Sequence, residues 1–206
     1  MNEEFDRDFW ERHWHSDDNE AVHSNPAHPY LARKTRGLTP GTALDAGCGT
    51  GAEAIWLAEQ GWQVTGVDIS PAALRQAGVR ADSAAVSVRW VEADLTTWQP
   101  GTTFDLVSTH YAHSSLPPGE FYDRIGSWVA PGGTLLIVGH RHPHDAPEGP
   151  GDHPPAEAES SAAAVAAQLA RGGWTVDTVE EHRRTLADAD GHPHVLHDFV
   201  VLARRG

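Results

Sequence analysis

Three carboxylates, Asp45, Asp68 and Asp94, each close a short apolar run, and Gly47, Gly49 and Gly51 follow the first of them at alternate positions. Glycine lets backbone approach a ligand closely because no side chain stands in the way. A helix starting at Ala52 would add the N–H groups of its first turn. Asp68 ends the next apolar run, Gln63-Val64-Thr65-Gly66-Val67, where a carboxylate can accept both hydroxyls of a ribose. Asp94 ends a third run and is suited to accept a hydrogen bond from an adenine amine. The spacing therefore points to a ligand that contains a nucleoside.

The glycines alone do not say which one. Gly47, Gly49 and Ala52 also satisfy the G-x-G-x-x-G/A pattern of dinucleotide sites. Asp45, two residues before the first glycine, would repel a pyrophosphate and attract the cationic amino end of a sulfonium cofactor. Lys34, the single lysine, precedes the loop, so the Tyr-x-x-x-Lys pair of short-chain dehydrogenases is absent. S-adenosylmethionine is favoured over a nicotinamide cofactor. A nicotinamide-dependent oxidoreductase and a non-catalytic cofactor-binding subunit are the alternatives.

The order Leu44-Asp45-Ala46-Gly47-Cys48-Gly49-Thr50-Gly51, Val67-Asp68-Ile69-Ser70, Glu92-Ala93-Asp94-Leu95, Phe104-Asp105-Leu106-Val107-Ser108 and Leu135-Leu136-Ile137-Val138 after Pro131-Gly132-Gly133 resembles a class I S-adenosylmethionine-dependent methyltransferase. The opening Phe9-Trp10-Glu11-Arg12-His13-Trp14, with Asn25-Pro26 and Pro29-Tyr30-Leu31, is similar to small bacterial members near the tellurite-resistance and thiopurine methyltransferases. The resemblance implies in-line transfer of a methyl group from sulfur to an acceptor, releasing S-adenosylhomocysteine. It implies that Asp45 and the backbone of Gly47, Gly49 and Gly51 hold the amino-acid end of the cofactor, and that Asp68 and Ile69 hold the ribose. Ala93, Asp94 and Leu95 would meet the adenine, with an N-cap as the competing role for Asp94. Ser108, Thr109 and His110 would lie beside the methyl group.

Elements that could position these residues alternate along the chain. Strands are expected near 42–46, 63–67, 86–92, 104–109, 133–140, 174–182 and 195–203, and helices near 3–14, 51–60, 71–82, 119–129 and 157–171. That alternation predicts an α/β fold: a Rossmann-like, doubly wound, mostly parallel seven-stranded sheet with an antiparallel C-terminal hairpin strand. One domain is expected over 1–206, with a cover segment at 1–37, a cofactor-binding core at 38–206 and a mobile Pro/Gly-rich loop at 141–156. Ligands bind beyond the carboxyl ends of such strands. The loops after the first five strands should therefore share one face, with the N-terminal segment folded over it.

Most of the 14 histidines fall on segments near that face. They can be solvated loop residues, general bases, or metal ligands through the alternation His140-Arg141-His142-Pro143-His144. His110 and His140, nearest the ends of the central strands, are the candidate bases, and no metal is expected. Trp10, Trp14, Tyr30, Tyr111 and His113 are candidate walls of an acceptor pocket. Packing of one helix face competes for the two tryptophans, because positions i and i+4 share a face. Trp56, Trp62, Trp90, Trp128 and Trp174 read as core, and Trp98 as a border for adenine or as core.

The formal charge of -14, without a sizeable basic cluster, disfavours nucleic acid and points to a small-molecule acceptor. The charged N-terminus lacks the pattern of a signal peptide and no apolar run suits a membrane span, so a cytoplasmic monomer or homodimer is expected. Cys48, the single cysteine, fits a reducing compartment and reads as a small residue in a tight turn rather than a nucleophile.

Overall fold

A computed structural model of the chain describes residues 7–15, 26–140, 161–187 and 193–206. The elements run α1 (Arg7–His15), α2 (Pro29–Thr35), β1 (Thr42–Ala46), α3 (Ala52–Glu59), β2 (Gln63–Asp68), α4 (Pro71–Ser83) and β3 (Val88–Glu92). They continue with β4 (Phe104–His110), α5 (Pro118–Gly126), β5 (Val129–His140), α6 (Ala162–Arg171), β6 (Trp174–Ala187) and β7 (Pro193–Arg205). The strands make one seven-stranded sheet in the order β3-β2-β1-β4-β5-β7-β6. β1 to β5 pair in parallel, whereas β7 runs antiparallel to both β5 and β6.

Central strands covered on both faces are largely apolar on both sides, and their period-two alternation then decides which core each side chain enters. On β5, Leu135 and Ile137 pack with Phe121 and Ile125 of α5 and Val165 and Leu169 of α6. Leu136 and Val138 point the other way, into a second cluster with Leu31 of α2 and Leu57 of α3. β7 repeats the pattern, with Phe199 and Val201 in the first cluster and Val200 in the second. Trp62 and Trp128 are buried, and Trp56, Trp90 and Trp174 pack against these clusters. Among the described residues no helix is long and apolar enough to cross a membrane.

Two local expectations are corrected. Helix α2 occupies part of a stretch without an expected element. It is only 7 residues long and lacks a Ser, Thr, Asp or Asn cap; instead the His28 ring accepts from the Tyr30 N–H at 3.4 Å and Pro29 takes the first helical position. β5 begins at Val129, not at 133, because Phe104 pairs with Val129 and Leu106 with Thr134, and the register shift accommodates Pro131-Gly132-Gly133. The expected N-terminal helix at 3–14 is seen from Arg7; its first residues, and the loop 141–156, lie outside the described residues.

Gly51 caps α3 with φ +79°, and a Cβ placed there would come 2.5 Å from Trp90 and 3.0 Å from Ala77. Gly51→Ala is expected to destabilise the fold by about 2–4 kcal/mol, combining backbone strain with overpacking. A lowered urea midpoint at unchanged m-value checks this.

Candidate active site

The chain leaves β1 toward β2 and β3, then returns to the opposite side of β1 as β4, so the loops after β1 and β4 diverge and open a crevice. A cavity of about 500 Å³ lies there. Its floor is the glycine loop. Gly47 and Cys48 donate their N–H groups to the Val67 carbonyl at 2.9 and 3.0 Å, and Gly49 donates to Asp68 Oδ2 at 2.8 Å. These bonds tie the loop to the end of β2, and Gly47 and Gly49 take φ of +76° and +49° to make them. Asp68 Oδ1 accepts from the Ser70 N–H at 2.9 Å. Asp68 lines the cavity, where its carboxylate can also accept from a hydroxyl. Burial pushes the Asp68 carboxyl up, against the pull of those N–H donors.

Gly47, Gly49, Asp68, Ile69, Ala93, Asp94 and Leu95 all line the cavity. Asp94 also does local work: its Oδ1 accepts from the Thr96 N–H at 2.8 Å, and its carbonyl accepts from Trp98 N–H. Four expected cofactor residues stand behind the wall instead. Asp45 is 1% exposed, with Oδ1 accepting from the Ser108 hydroxyl at 3.4 Å, while Oδ2 is buried without a partner among the described residues. Burial, then the charge of Glu53, drives its carboxyl well up. Ser108 is spent on Asp45, and Thr109 donates to the Ala46 carbonyl at 2.9 Å. Gly51 faces Trp90. The reason is common to the strand residues: parallel strands bury both faces, so a polar side chain one step below a strand end serves the loop above it rather than the ligand. Cys48 is buried and its thiol pushed well up by that burial, which keeps it an uncharged turn residue.

Helix α1 covers the crevice. Glu11 accepts from the Ser70 hydroxyl at 2.8 Å and the Ala72 N–H at 3.1 Å, so its charge sits at the N-terminus of α4. This contact sets Trp10 and Trp14 in the cavity wall, with the Trp10 ring parallel to His113 at 6.4 Å and Trp14 over Gly49. Tyr111 and His113 follow β4 and line the same wall. Tyr30 does not: it is buried in the second core cluster, under the cavity. Trp98 packs edge-on against Trp128 at 5.3 Å and is likewise away from the cavity.

The two candidate bases both line the cavity. The ring nitrogens of His110 are buried without a hydrogen-bond partner among the described residues, and burial holds its pKa below the ordinary histidine value. His140, at the end of β5, places Nδ1 3.0 Å from Asp198 Oδ1. Groups of metal-ligand type close enough to hold an ion are not found among the described residues, and His142 and His144 lie outside them.

A methyltransferase-domain family matches residues 43–133. The 2-heptyl-1-hydroxyquinolin-4(1H)-one methyltransferase of Mycobacteroides abscessus is 30% identical over 162 residues, covering 76% of this chain and 68% of that protein. The chain belongs to the class I S-adenosylmethionine-dependent methyltransferases. An uncharacterised methyltransferase of Mycobacterium tuberculosis is 40% identical over 97 residues, which span 46% of this chain and about half (48%) of its own length. The N-methyltransferase NodS of Bradyrhizobium japonicum, solved with S-adenosylhomocysteine, shares the fold with a TM-score of 0.64 at 20% identity, over 97% of each chain.

Several residues that build the methyltransferase site were not singled out from the sequence. Asp198 is the main one, and its signal was present: a carboxylate on an expected strand, directly before the apolar run Phe199-Val200-Val201-Leu202, is a candidate buried charge that needs partners. Arg184 and His28 reach the cavity from β6 and from the segment before α2, and nothing in their local sequence marks them. The His28 N–H donates to Glu53 Oε1 at 2.9 Å, and its ring pKa is lowered to about 4 by burial first, then by the charge of Arg184. In the unfolded chain His28 protonates near the ordinary value, while the folded ring stays neutral to about 4. The unfolded state therefore gains protons first, and stability declines as pH falls through that window; His110 acts in the same direction. Urea midpoints measured near neutrality and about two units lower should show that decline. His28→Asn, which keeps an acceptor for the Tyr30 N–H, should make it smaller.

Proposed function

We propose that this methyltransferase acts on a small-molecule acceptor held in the cavity between the glycine loop and helix α1. The observation that supports this most is the mixed lining of one cavity, in which Gly47, Gly49, Asp68 and Asp94 stand together with Trp10, Tyr111, His110, His113 and His140. The cavity volume lies within the range of small-molecule sites.

The residues present fit the cofactor. A Cβ at Gly49 would fall 3.0 Å from Trp14, so that position leaves backbone room only as glycine. Asp68 lines the cavity as an acceptor for a ribose, and Asp94 lines it as an acceptor for the base. S-adenosylmethionine supplies a methyl group already activated by a cationic sulfur. The protein's share is to orient the acceptor, exclude water under α1 and accept a proton where the acceptor carries one. Orientation alone can supply on the order of 7–11 kcal/mol of the barrier.

The net charge of -14 argues against a nucleic-acid acceptor, and a cytoplasmic monomer or homodimer fits the composition. The opening aromatics keep the tellurite-resistance and thiopurine branch as one source of acceptors. The hydroxyquinolone methyltransferase supplies another, an N-hydroxy heteroaromatic.

Calorimetry should detect S-adenosylmethionine and S-adenosylhomocysteine but not NAD. Release of S-adenosylhomocysteine over a panel of phenols, N-hydroxy heterocycles, thiols, amines and tellurite then identifies the acceptor; no turnover with any of them would refute a small-molecule role. Asp68→Ala is expected to weaken cofactor binding by about 1–3 kcal/mol, and unchanged affinity would remove Asp68 from the ribose site.

A further inference from the structure

We propose that Glu53, on the first turn of α3, anchors the α-ammonium group of S-adenosylmethionine in place of the buried Asp45. This deepens the methyl-transfer reading above and rests on it.

The glycine loop is where that reading puts the amino-acid end of the cofactor, and an ammonium there calls for an anion. Asp45 is 1% exposed and stands outside the cavity lining, with one oxygen bonded to Ser108. An acid sealed behind the wall does not meet a ligand. Three other carboxylates line the cavity among the described residues: Glu53, Asp68 and Asp94. Asp68 ends β2 and Asp94 lies beyond β3, where ribose and base are expected. Glu53 lies just beyond Gly51, in the helix into which the loop leads, and shares the cavity lining with Gly47, Gly49, Thr50 and Ala52.

The charge of Glu53 dominates this end of the cavity. Burial is the first influence on the titration of Asp45, Cys48, His28, His110 and Arg80, and the charge of Glu53 is a further one on every one of them. Yet among the described residues no Lys or Arg forms a salt bridge with it. Arg80 donates instead to the Thr50 carbonyl and hydroxyl, at 3.2 and 2.7 Å. Glu53 is held by the His28 N–H, which donates to Oε1 at 2.9 Å, and by its place in a first helical turn, where negative charge is favoured. A carboxylate so held on a cavity wall is a seat for a cationic group of the ligand.

The same charge works against the rival ligand. In dinucleotide sites the helix after the glycine loop receives a diphosphate at its N-terminus. Glu53 puts an anion at that end of α3, so a diphosphate meets repulsion there. The acid that sorts an ammonium from a diphosphate is therefore Glu53. S-adenosylmethionine and S-adenosylhomocysteine carry the same ammonium, so Glu53 holds both alike.

Calorimetry with S-adenosylhomocysteine and with methylthioadenosine, which lacks the amino-acid end, tests this on the native chain, Glu53→Gln and Asp45→Asn. Glu53→Gln should weaken S-adenosylhomocysteine binding about ten- to a hundredfold, the range for a lost hydrogen bond to a charged group, and leave methylthioadenosine binding unchanged. A role confined to holding His28 or the helix would weaken both ligands alike. That result, or unchanged binding of both, overturns the proposal. So does a selective loss of S-adenosylhomocysteine in Asp45→Asn with none in Glu53→Gln. Should Glu53→Gln fail to fold, a crystal of the native chain with S-adenosylhomocysteine decides. An ammonium about 3 Å from the Glu53 carboxylate supports the assignment, and an ammonium held elsewhere overturns it. Native protein that binds neither ligand refutes the methyl-transfer site itself, whereas equal native affinity for the two refutes only the anchor.

Discussion

β1 has β2 on one side and β4 on the other, and both neighbours run parallel to it. The chain can satisfy that arrangement only by sending its first crossovers one way and its next the other. The segments leaving β1 and β4 must part, and no third strand can fill the gap. The strand-end groups gather at the cavity because of this reversal: the glycine loop at the end of β1, Asp68 at the end of β2, Asp94 beyond β3, His110 at the end of β4 and His140 at the end of β5. A sheet of different order, built from the same strands, would scatter these side chains.

The loop over the crevice is held by the neighbouring strand rather than by its own turns. Val67 accepts two loop N–H groups and Asp68 a third, so the acid expected at the ribose also braces the floor beneath it. Asp45 and Ser108 form a lower tier, buried and turned toward each other. Such layering explains why motif residues adjacent in sequence divide between ligand wall and support.

A third level lies on the antiparallel edge. β7 enters between β5 and β6, so Asp198 is placed opposite His140 on one side and opposite His182 on the other. Arg184 comes from β6, Tyr30 from α2 and Tyr111 from the turn after β4. The network joins five parts of the chain, and Tyr111, His140 and Arg184 carry it to the cavity.

What the sequence determined by itself is whatever depends on local periodicity. Alternating apolar runs and helix starts set the element order, the parallel sheet with its antiparallel hairpin, and the clustering of Gly47, Gly49, Asp68, Asp94, His110 and His140 at one end of the strands. Short or oddly capped elements escaped it, as α2 did, because a histidine cap and a seven-residue helix carry little local signal. Only the tertiary structure decided which polar residues face the ligand and which support it. It moved Asp45, Gly51, Ser108, Thr109 and Tyr30 behind the wall and brought Asp198, Arg184 and His28 to it or beside it. The reason is physical: a side chain's exposure at a strand end depends on the register of neighbouring strands and on what packs above them, and no window of sequence contains either.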